Sequence, residues 1–190
     1  MSVSHTVSDF LNLSSALTGF DRIDLEGTGL SETYYNEVRR IVGGRIFGRL
    51  LIRWHELQDA AAGNEKKRDR ELKRQVLDSD LLGDVARNII SLWYVGNWNQ
   101  MPLPWRHAYG ASASDQTHVV SAAAFREGLV WRAIDAHPPT ARAPGFGTWA
   151  FPPEGAEPLD DSDAAWLKAR GSVDATVAKS TAKKTTGSKK

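Results

Sequence analysis

The side chains that could perform chemistry in this chain are few, and their spacing does not match a standard metal-binding pattern. A zinc-binding helix carries two histidines in the pattern H-E-x-x-H, and His55-Glu56 lacks the second histidine. The absence of cysteine excludes disulfides, thiolate nucleophiles and cysteine-based metal sites. We interpret each histidine as a structural or surface residue, while a site assembled across the fold stays open. The histidines stand at positions 5, 55, 107, 118 and 137.

Motifs for nucleophilic catalysis and for phosphate binding are also missing. No G-x-S-x-G stretch marks a nucleophile elbow, and Gly43-Gly44-Arg45 lacks the G-x-x-x-x-G-K frame of a phosphate-binding loop. Gly27 and Gly29 do not follow a predicted strand, so they do not indicate a dinucleotide site. The sequence therefore predicts no catalytic residue, no metal site and no cofactor bound by this chain itself.

Tryptophan is the residue type that points to a function, since the chain contains seven. Three lie on apolar stripes at helical spacing and are predicted to pack in the core: Trp54, Trp93 and Trp131. Three others stand among Gly, Asn and Pro in predicted loops: Trp98, Trp105 and Trp149. Core packing and surface exposure are both open for this second group. If exposed, these side chains would serve as protein–protein contacts or as platforms on which sugar rings stack.

Helices must position most of these residues. A first helix is predicted over residues 7–18, because Thr6 can cap it together with Asp9 and Gly19 can end it. The following segment FDRIDLEGTG, residues 20–29, is predicted to be a loop.

Two longer apolar patterns follow. A helix is predicted to start at Ser31, which can cap it, and to be interrupted at Gly43-Gly44. Residues 45–60 then show a broad apolar stripe at helical spacing. Residues 64–75 alternate in charge, which indicates a solvated helix face with ion pairs between residues one turn apart.

The second half of the chain alternates helices with irregular segments. Asp78 or Asp80 can cap a helix through Leu92, and we place the boundary between its buried end and the following loop near Gly96. Ser121 can cap one further helix, which carries Phe125, Leu129, Trp131 and Ile134.

These patterns predict a mainly α protein. We expect a single helical domain over residues 1–170, with about five to six helices and long irregular loops rich in proline and tryptophan. Residues 138–158 contain six of the eight prolines and cannot be helical. The lysine-rich residues 171–190 are expected to form a disordered tail.

The charge distribution argues against nonspecific nucleic-acid binding. Five lysines and one acid give residues 171–190 a net charge of +4, and since the whole chain carries +1, the remainder is about −3. No apolar run approaches the roughly 18 residues that a transmembrane helix needs. The sequence therefore predicts neither a nucleic-acid partner nor a transmembrane segment.

Three stretches, in this order, carry a resemblance to a known family. They are SDFLNLSSALTGFDRIDL (residues 8–25), NIISLWYVGNW (88–98) and EGLVWRAIDAHPPTARAPGFGTWAFPP (127–153). Together they resemble the small subunit of membrane-bound FAD-containing D-sorbitol dehydrogenases. Related small subunits accompany bacterial FAD-dependent glucose and fructose dehydrogenases.

The resemblance implies an accessory subunit of an oxidoreductase complex. In that family a large flavoprotein subunit holds FAD and oxidises the sugar or polyol, and a cytochrome subunit often accepts the electrons. The small subunit binds the flavoprotein and aids its maturation and stability. On this hypothesis the loop aromatic residues are the partner contacts: Trp98, Trp105, Phe146, Trp149 and Phe151.

Two departures from the family shape this hypothesis. Many members begin with a twin-arginine export signal, which is missing here, so the sequence as written predicts the cytoplasm whereas the resemblance predicts the periplasmic face of the inner membrane. Members can also carry a cysteine in the region matching PGFGTWA, and without one the association must be noncovalent. The alternative hypothesis is a carbohydrate-binding module, with Asn97, Asn99 and Asp115 beside the stacked tryptophans.

Overall fold

Helices form nearly all of the regular structure that we describe, which confirms the predicted mainly α fold. The computed structural model describes residues 6–110, 112–136 and 138, which belong to the compact unit Met1–Phe146. The predicted boundary at residues 170 and 171 lies outside this range. The α-helices of the described residues are α1 (Val7–Thr18), α2 (Arg22–Gly27), α3 (Ser31–Ala61), α4 (Glu65–Leu72), α5 (Gly83–Val95), α6 (Leu103–Tyr109), α7 (Ala122–Arg126) and α8 (Leu129–Ala133).

Helix α1 has the ends that the sequence predicts. The Thr6 hydroxyl accepts the Asp9 amide at 3.3 Å, and the Asp9 carboxylate accepts the Thr6 amide at 2.8 Å, which completes a capping box. Gly19 ends the helix in the left-handed conformation, with φ of 77°. These signals are local, which is why the sequence alone identifies them.

The segment predicted as a loop after α1 contains a short helix, so that prediction is wrong. Helix α2 is six residues long, and Arg22 and Glu26 form an ion pair at 2.7 Å one turn apart. Leu25 is fully buried, and Asp24 binds Arg132 of α8 at 2.7 Å. The helix is held by these distant contacts, and six residues are too few to show helical periodicity.

Helix α3 is interrupted where the double glycine predicts it. Gly43 has φ of 80° and ψ of 151°, which lies outside the helical range, so α3 consists of two helical halves. Both halves bury an apolar face, which includes Tyr34, Leu50 and Trp54. The helix starts with Leu30 at its N-cap, rather than with the predicted Ser31 cap.

The charged stretch that follows forms α4 and then a five-residue π-helical turn, Lys73–Leu77. The Asn64 side chain caps α4 by accepting the Lys67 amide at 3.0 Å. An ion pair between Arg74 and Glu71 spans 2.7 Å on the exposed face. The predicted helix with pairs one turn apart is therefore present, with a wider turn at its end.

The remaining helices begin or divide differently from the prediction. Helix α5 starts at Gly83 without a side-chain cap, because Leu82 occupies the N-cap position. Ser121 does cap a helix, accepting the Ala124 amide at 3.0 Å, but two short helices follow in place of one. Gly128 separates them, and a Cβ there would lie 2.7 Å from the Tyr94 carbonyl oxygen. The chain turns at this close approach to α5.

Three helices, α1, α3 and α5, enclose an aromatic core. Phe10 stacks on Trp93 with ring centroids 6.2 Å apart, and Tyr34 meets Trp93 edge to face at 4.9 Å. Trp54 and Trp93 are each 1% exposed, which confirms the predicted core role of these two tryptophans. Trp131 is half-buried, so the core prediction is wrong for that residue.

Candidate partner-binding surface

A long loop leaves the core at the C-terminal end of α5. Gly96 ends the helix with φ of 72°, which confirms the predicted boundary. Strands β1 (Asn97–Trp98) and β2 (His118–Val119) then pair in antiparallel fashion, and the Val120 amide donates to the Gly96 carbonyl at 2.9 Å. We call residues 97–110 and 112–121 the ribbon loop. Its two ends are therefore joined beside the core.

A buried carboxylate organises the interior of the ribbon loop. Asp115 is 2% exposed and accepts the Trp98 indole N–H and the Met101 amide, each at 3.0 Å. The Arg106 Nε lies 3.5 Å from its other oxygen. A buried charge is tolerated only when donors and an opposite charge surround it. One side chain therefore holds three separated positions of the loop together.

Trp98 is fully buried, so the expectation that it is exposed to a partner is wrong. Its indole N–H donates to Asp115, and this bond removes the usual reason for the polar edge of a tryptophan to face water. Trp98 therefore supports the loop from inside.

The same expectation is wrong for Trp105, which is 4% exposed. Its indole N–H donates to the Leu81 carbonyl at 2.9 Å, and its ring meets Tyr109 edge to face at 5.5 Å. The three other predicted partner contacts, Phe146, Trp149 and Phe151, lie outside the described residues.

One exposed part of the ribbon loop is the Pro-Leu-Pro tip, residues 102–104. Leu103 is 60% exposed, and both flanking prolines are exposed as well. Anchors stand on each side of the tip, because Met101 and Trp105 are buried. Leu103 was not predicted as a contact residue from the sequence, where the prediction named the neighbouring tryptophans. The available signal was an apolar residue between two prolines.

The tip borders a cleft of about 460 Å³. Its lining includes Pro102, Pro104 and Trp105 together with Asp78 and Asp84. Each of these carboxylates is already paired, with Lys73 at 3.3 Å and with Arg87 at 3.0 Å. The tip is therefore an apolar projection beside a recess lined by both apolar and charged side chains.

Buried tryptophans also bear on the carbohydrate-binding hypothesis. Trp98 and Trp105 are buried in the loop, so neither ring presents a face on which a sugar could stack. The Asp115 carboxylate is likewise committed to donors within the loop. Of the residues that this hypothesis requires, Trp98, Trp105 and Asp115 therefore serve the fold.

One histidine joins the ribbon loop to α3. His118 Nε2 lies 2.8 Å from Glu37 Oε1, and its Nδ1 lies 2.7 Å from the Gln116 carbonyl oxygen. The contact with Glu37 links β2 to α3 through one side chain. Burial by itself would raise the pKa of Glu37, but hydrogen bonds and charges from Arg40 and His118 outweigh it and lower the pKa.

This arrangement predicts a pH-dependent contribution of Glu37 to stability. Because the folded-state pKa is lowered, the carboxylate stabilises the fold fully above its unfolded-state value near 4.5 and loses this effect as the pH falls through the folded-state value. Between about pH 6 and pH 3, urea denaturation should therefore show a larger loss of stability for the wild type than for Glu37→Gln. Glu32→Gln, an exposed control on α3, should follow the wild type. Equal pH dependence of the wild type and Glu37→Gln would contradict the prediction.

The described residues contain no helix long and apolar enough to cross a membrane. Among them, no three or more His, Asp or Glu side chains are grouped so that they could hold a metal ion. A scan against protein-family models matches no family, and searches of curated proteins and of solved structures find no similar protein.

Proposed function

We propose that this chain is an accessory subunit that binds and stabilises the large flavoprotein subunit of an FAD-dependent sugar or polyol dehydrogenase complex. On this proposal FAD resides in the partner, a cytochrome subunit accepts the electrons, and this chain aids maturation without taking part in catalysis. Support comes from the ordered resemblance of three stretches to small subunits of the sorbitol dehydrogenase type. The second stretch runs into the ribbon loop, and the third begins directly after α7, which follows the loop.

The structural observation that carries the proposal is the exposed, braced Pro-Leu-Pro tip. An exposed apolar side chain contributes to an interface when a partner covers it and the surrounding contacts exclude water. Leu103 offers such a side chain at 60% exposure. Because buried neighbours hold the tip on both sides and prolines restrict its backbone, little conformational entropy is lost on binding.

The roles of the predicted aromatic contacts change accordingly. Trp98 and Trp105 act indirectly, since they support the tip from inside the loop. Phe146, Trp149 and Phe151 follow α8 in the third stretch of resemblance and stay proposed as direct contacts with the flavoprotein.

Co-expression of this chain with the large flavoprotein subunit of such a dehydrogenase from the same genome tests the proposal. We expect the wild-type chain to copurify with an FAD-loaded large subunit, and Leu103→Asp to weaken the complex at least about tenfold, since a buried carboxylate would replace an apolar contact. The folded chain itself should be unaffected, because Leu103 is exposed.

The matched control is Ile23→Asp, which places the same charge at an 80% exposed apolar position on α2 and should leave the complex intact. If both variants weakened the complex equally, the tip would not be a specific contact with the flavoprotein. A large subunit that folds, binds FAD and stays soluble without this chain would overturn the accessory function itself.

A further inference from the structure

The exposed side of α3 carries an unusual concentration of arginine. Five arginines and no acidic residue or lysine occur between positions 38 and 55. Two of the five are neutralised locally, since Arg40 pairs with Glu37 at 2.6 Å and Arg53 pairs with Glu56 at 2.8 Å. The other three, Arg39, Arg45 and Arg49, are exposed and form no ion pair or side-chain hydrogen bond with a described residue.

At the interruption, the Arg39 side chain approaches the start of the second half of α3, which carries Arg45 and Arg49. The Arg39 Nε lies 3.9 Å from the place where a Cβ on Gly44 would stand, so this side chain reaches across the bend toward Arg45. Arg45 and Arg49 are four residues apart on the second half of α3 and therefore share a face. We call Arg39, Arg45 and Arg49 the arginine face.

Like charges one turn apart destabilise a helix slightly, and an anionic partner would remove this repulsion. A guanidinium group can donate two parallel hydrogen bonds to one carboxylate, which fixes the relative orientation of the two groups in addition to attracting them. Ile52 is 43% exposed, and it continues the Arg45 and Arg49 positions at the spacing i, i+4, i+7. An apolar residue in line with the charges favours a protein surface over bare phosphates.

We propose that the arginine face of α3 is a docking site for a carboxylate-rich protein surface. The charge balance supports a protein partner. Residues 1–170 carry about −3 overall, so the surface outside the arginine face would repel the phosphates of a nucleic acid. The site lies on α3, apart from the tip on α6, and does not depend on the flavoprotein being the partner.

The test compares two double variants of the full chain with the same change in charge. Arg45→Glu with Arg49→Glu alters the arginine face, and Arg70→Glu with Arg126→Glu alters exposed arginines on α4 and α7. The probe is fluorescently labelled poly-L-glutamate, whose binding is measured by anisotropy at low salt. We expect the first pair to weaken binding about tenfold and the second about twofold or less. The lysine-rich tail is the same in both variants, so its contribution to binding cancels in the comparison.

Two results would overturn the proposal. Equal weakening by both double variants would mean that only net charge matters. A larger effect of the Arg45 and Arg49 reversal on binding to duplex DNA or to phosphatidylserine vesicles than on binding to poly-L-glutamate would assign the face to phosphates. Arg45→Gln with Arg49→Gln introduces no new charge and should also weaken binding to poly-L-glutamate, by less than the reversal does. This variant keeps the comparison valid if the reversal disturbs folding.

Discussion

Replacing Asp115 by alanine is expected to lower the free energy of unfolding by about 3–5 kcal/mol. The carboxylate is the acceptor for the buried Trp98 indole and the Met101 amide, and losing an acceptor costs about 1–3 kcal/mol for each buried donor. Arg106 also loses the opposite charge that lies 3.5 Å from it. Urea denaturation followed by circular dichroism measures this change.

Two further variants separate the hydrogen bonds from a general effect of removing a carboxylate. Asp80→Ala removes an exposed carboxylate and should change stability by no more than about 0.5 kcal/mol. Asp115→Asn keeps one acceptor oxygen and should fall between the wild type and Asp115→Ala. If Asp115→Ala were as stable as Asp80→Ala, the buried carboxylate would not hold the ribbon loop as we describe.

If the tip binds the flavoprotein as we propose, Asp115→Ala should also reduce the affinity for that partner. The tip lies between Met101, whose amide Asp115 holds, and Trp105, which is bound to Leu81. Releasing one anchor gives the tip conformational freedom that binding must remove again. Asp115→Ala should therefore weaken the complex with the flavoprotein even when the chain is still folded at the assay temperature.

Gly96→Ala is expected to destabilise the protein by about 2–5 kcal/mol. The left-handed conformation, with φ of 72°, costs a non-glycine residue about 1–2 kcal/mol. A Cβ at this position would also lie 2.7 Å from the carbonyl carbon and 2.8 Å from the carbonyl oxygen of Ala124. Such overpacking costs about 1–3 kcal/mol more, because the backbone of α7 has to move.

Gly19→Ala provides the matched control. Gly19 ends α1 with φ of 77°, but no heavy atom lies within 4 Å of the place its Cβ would take. This variant should therefore show the conformational cost alone, about 1–2 kcal/mol. The excess loss at Gly96 measures the contact between the end of α5 and α7. Equal losses at the two glycines, compared by thermal or urea denaturation, would contradict that close approach.

Local sequence signals predicted the parts of the fold that depend on neighbours within about one helical turn. Thr6, Asp9 and Gly19 delimit α1, Gly43 interrupts α3, and Gly96 ends α5, as expected from capping and from positive φ. The same reasoning missed α2 and the break at Gly128. Those features depend on an ion pair to α8 and on the Tyr94 carbonyl, which local periodicity does not reveal.

The candidate site shows the same division. By itself, the sequence determined a mainly helical protein, an aromatic core around Trp54 and Trp93, and a loop that begins at Gly96. Only the tertiary structure decided that Trp98 and Trp105 face inward, and that Leu103 between them faces solvent. The physical reason is that the indole N–H groups of these two tryptophans find acceptors inside the fold, which offsets the cost of removing them from water. Those acceptors stand 17 and 24 residues away along the chain, and only folding brings them into contact.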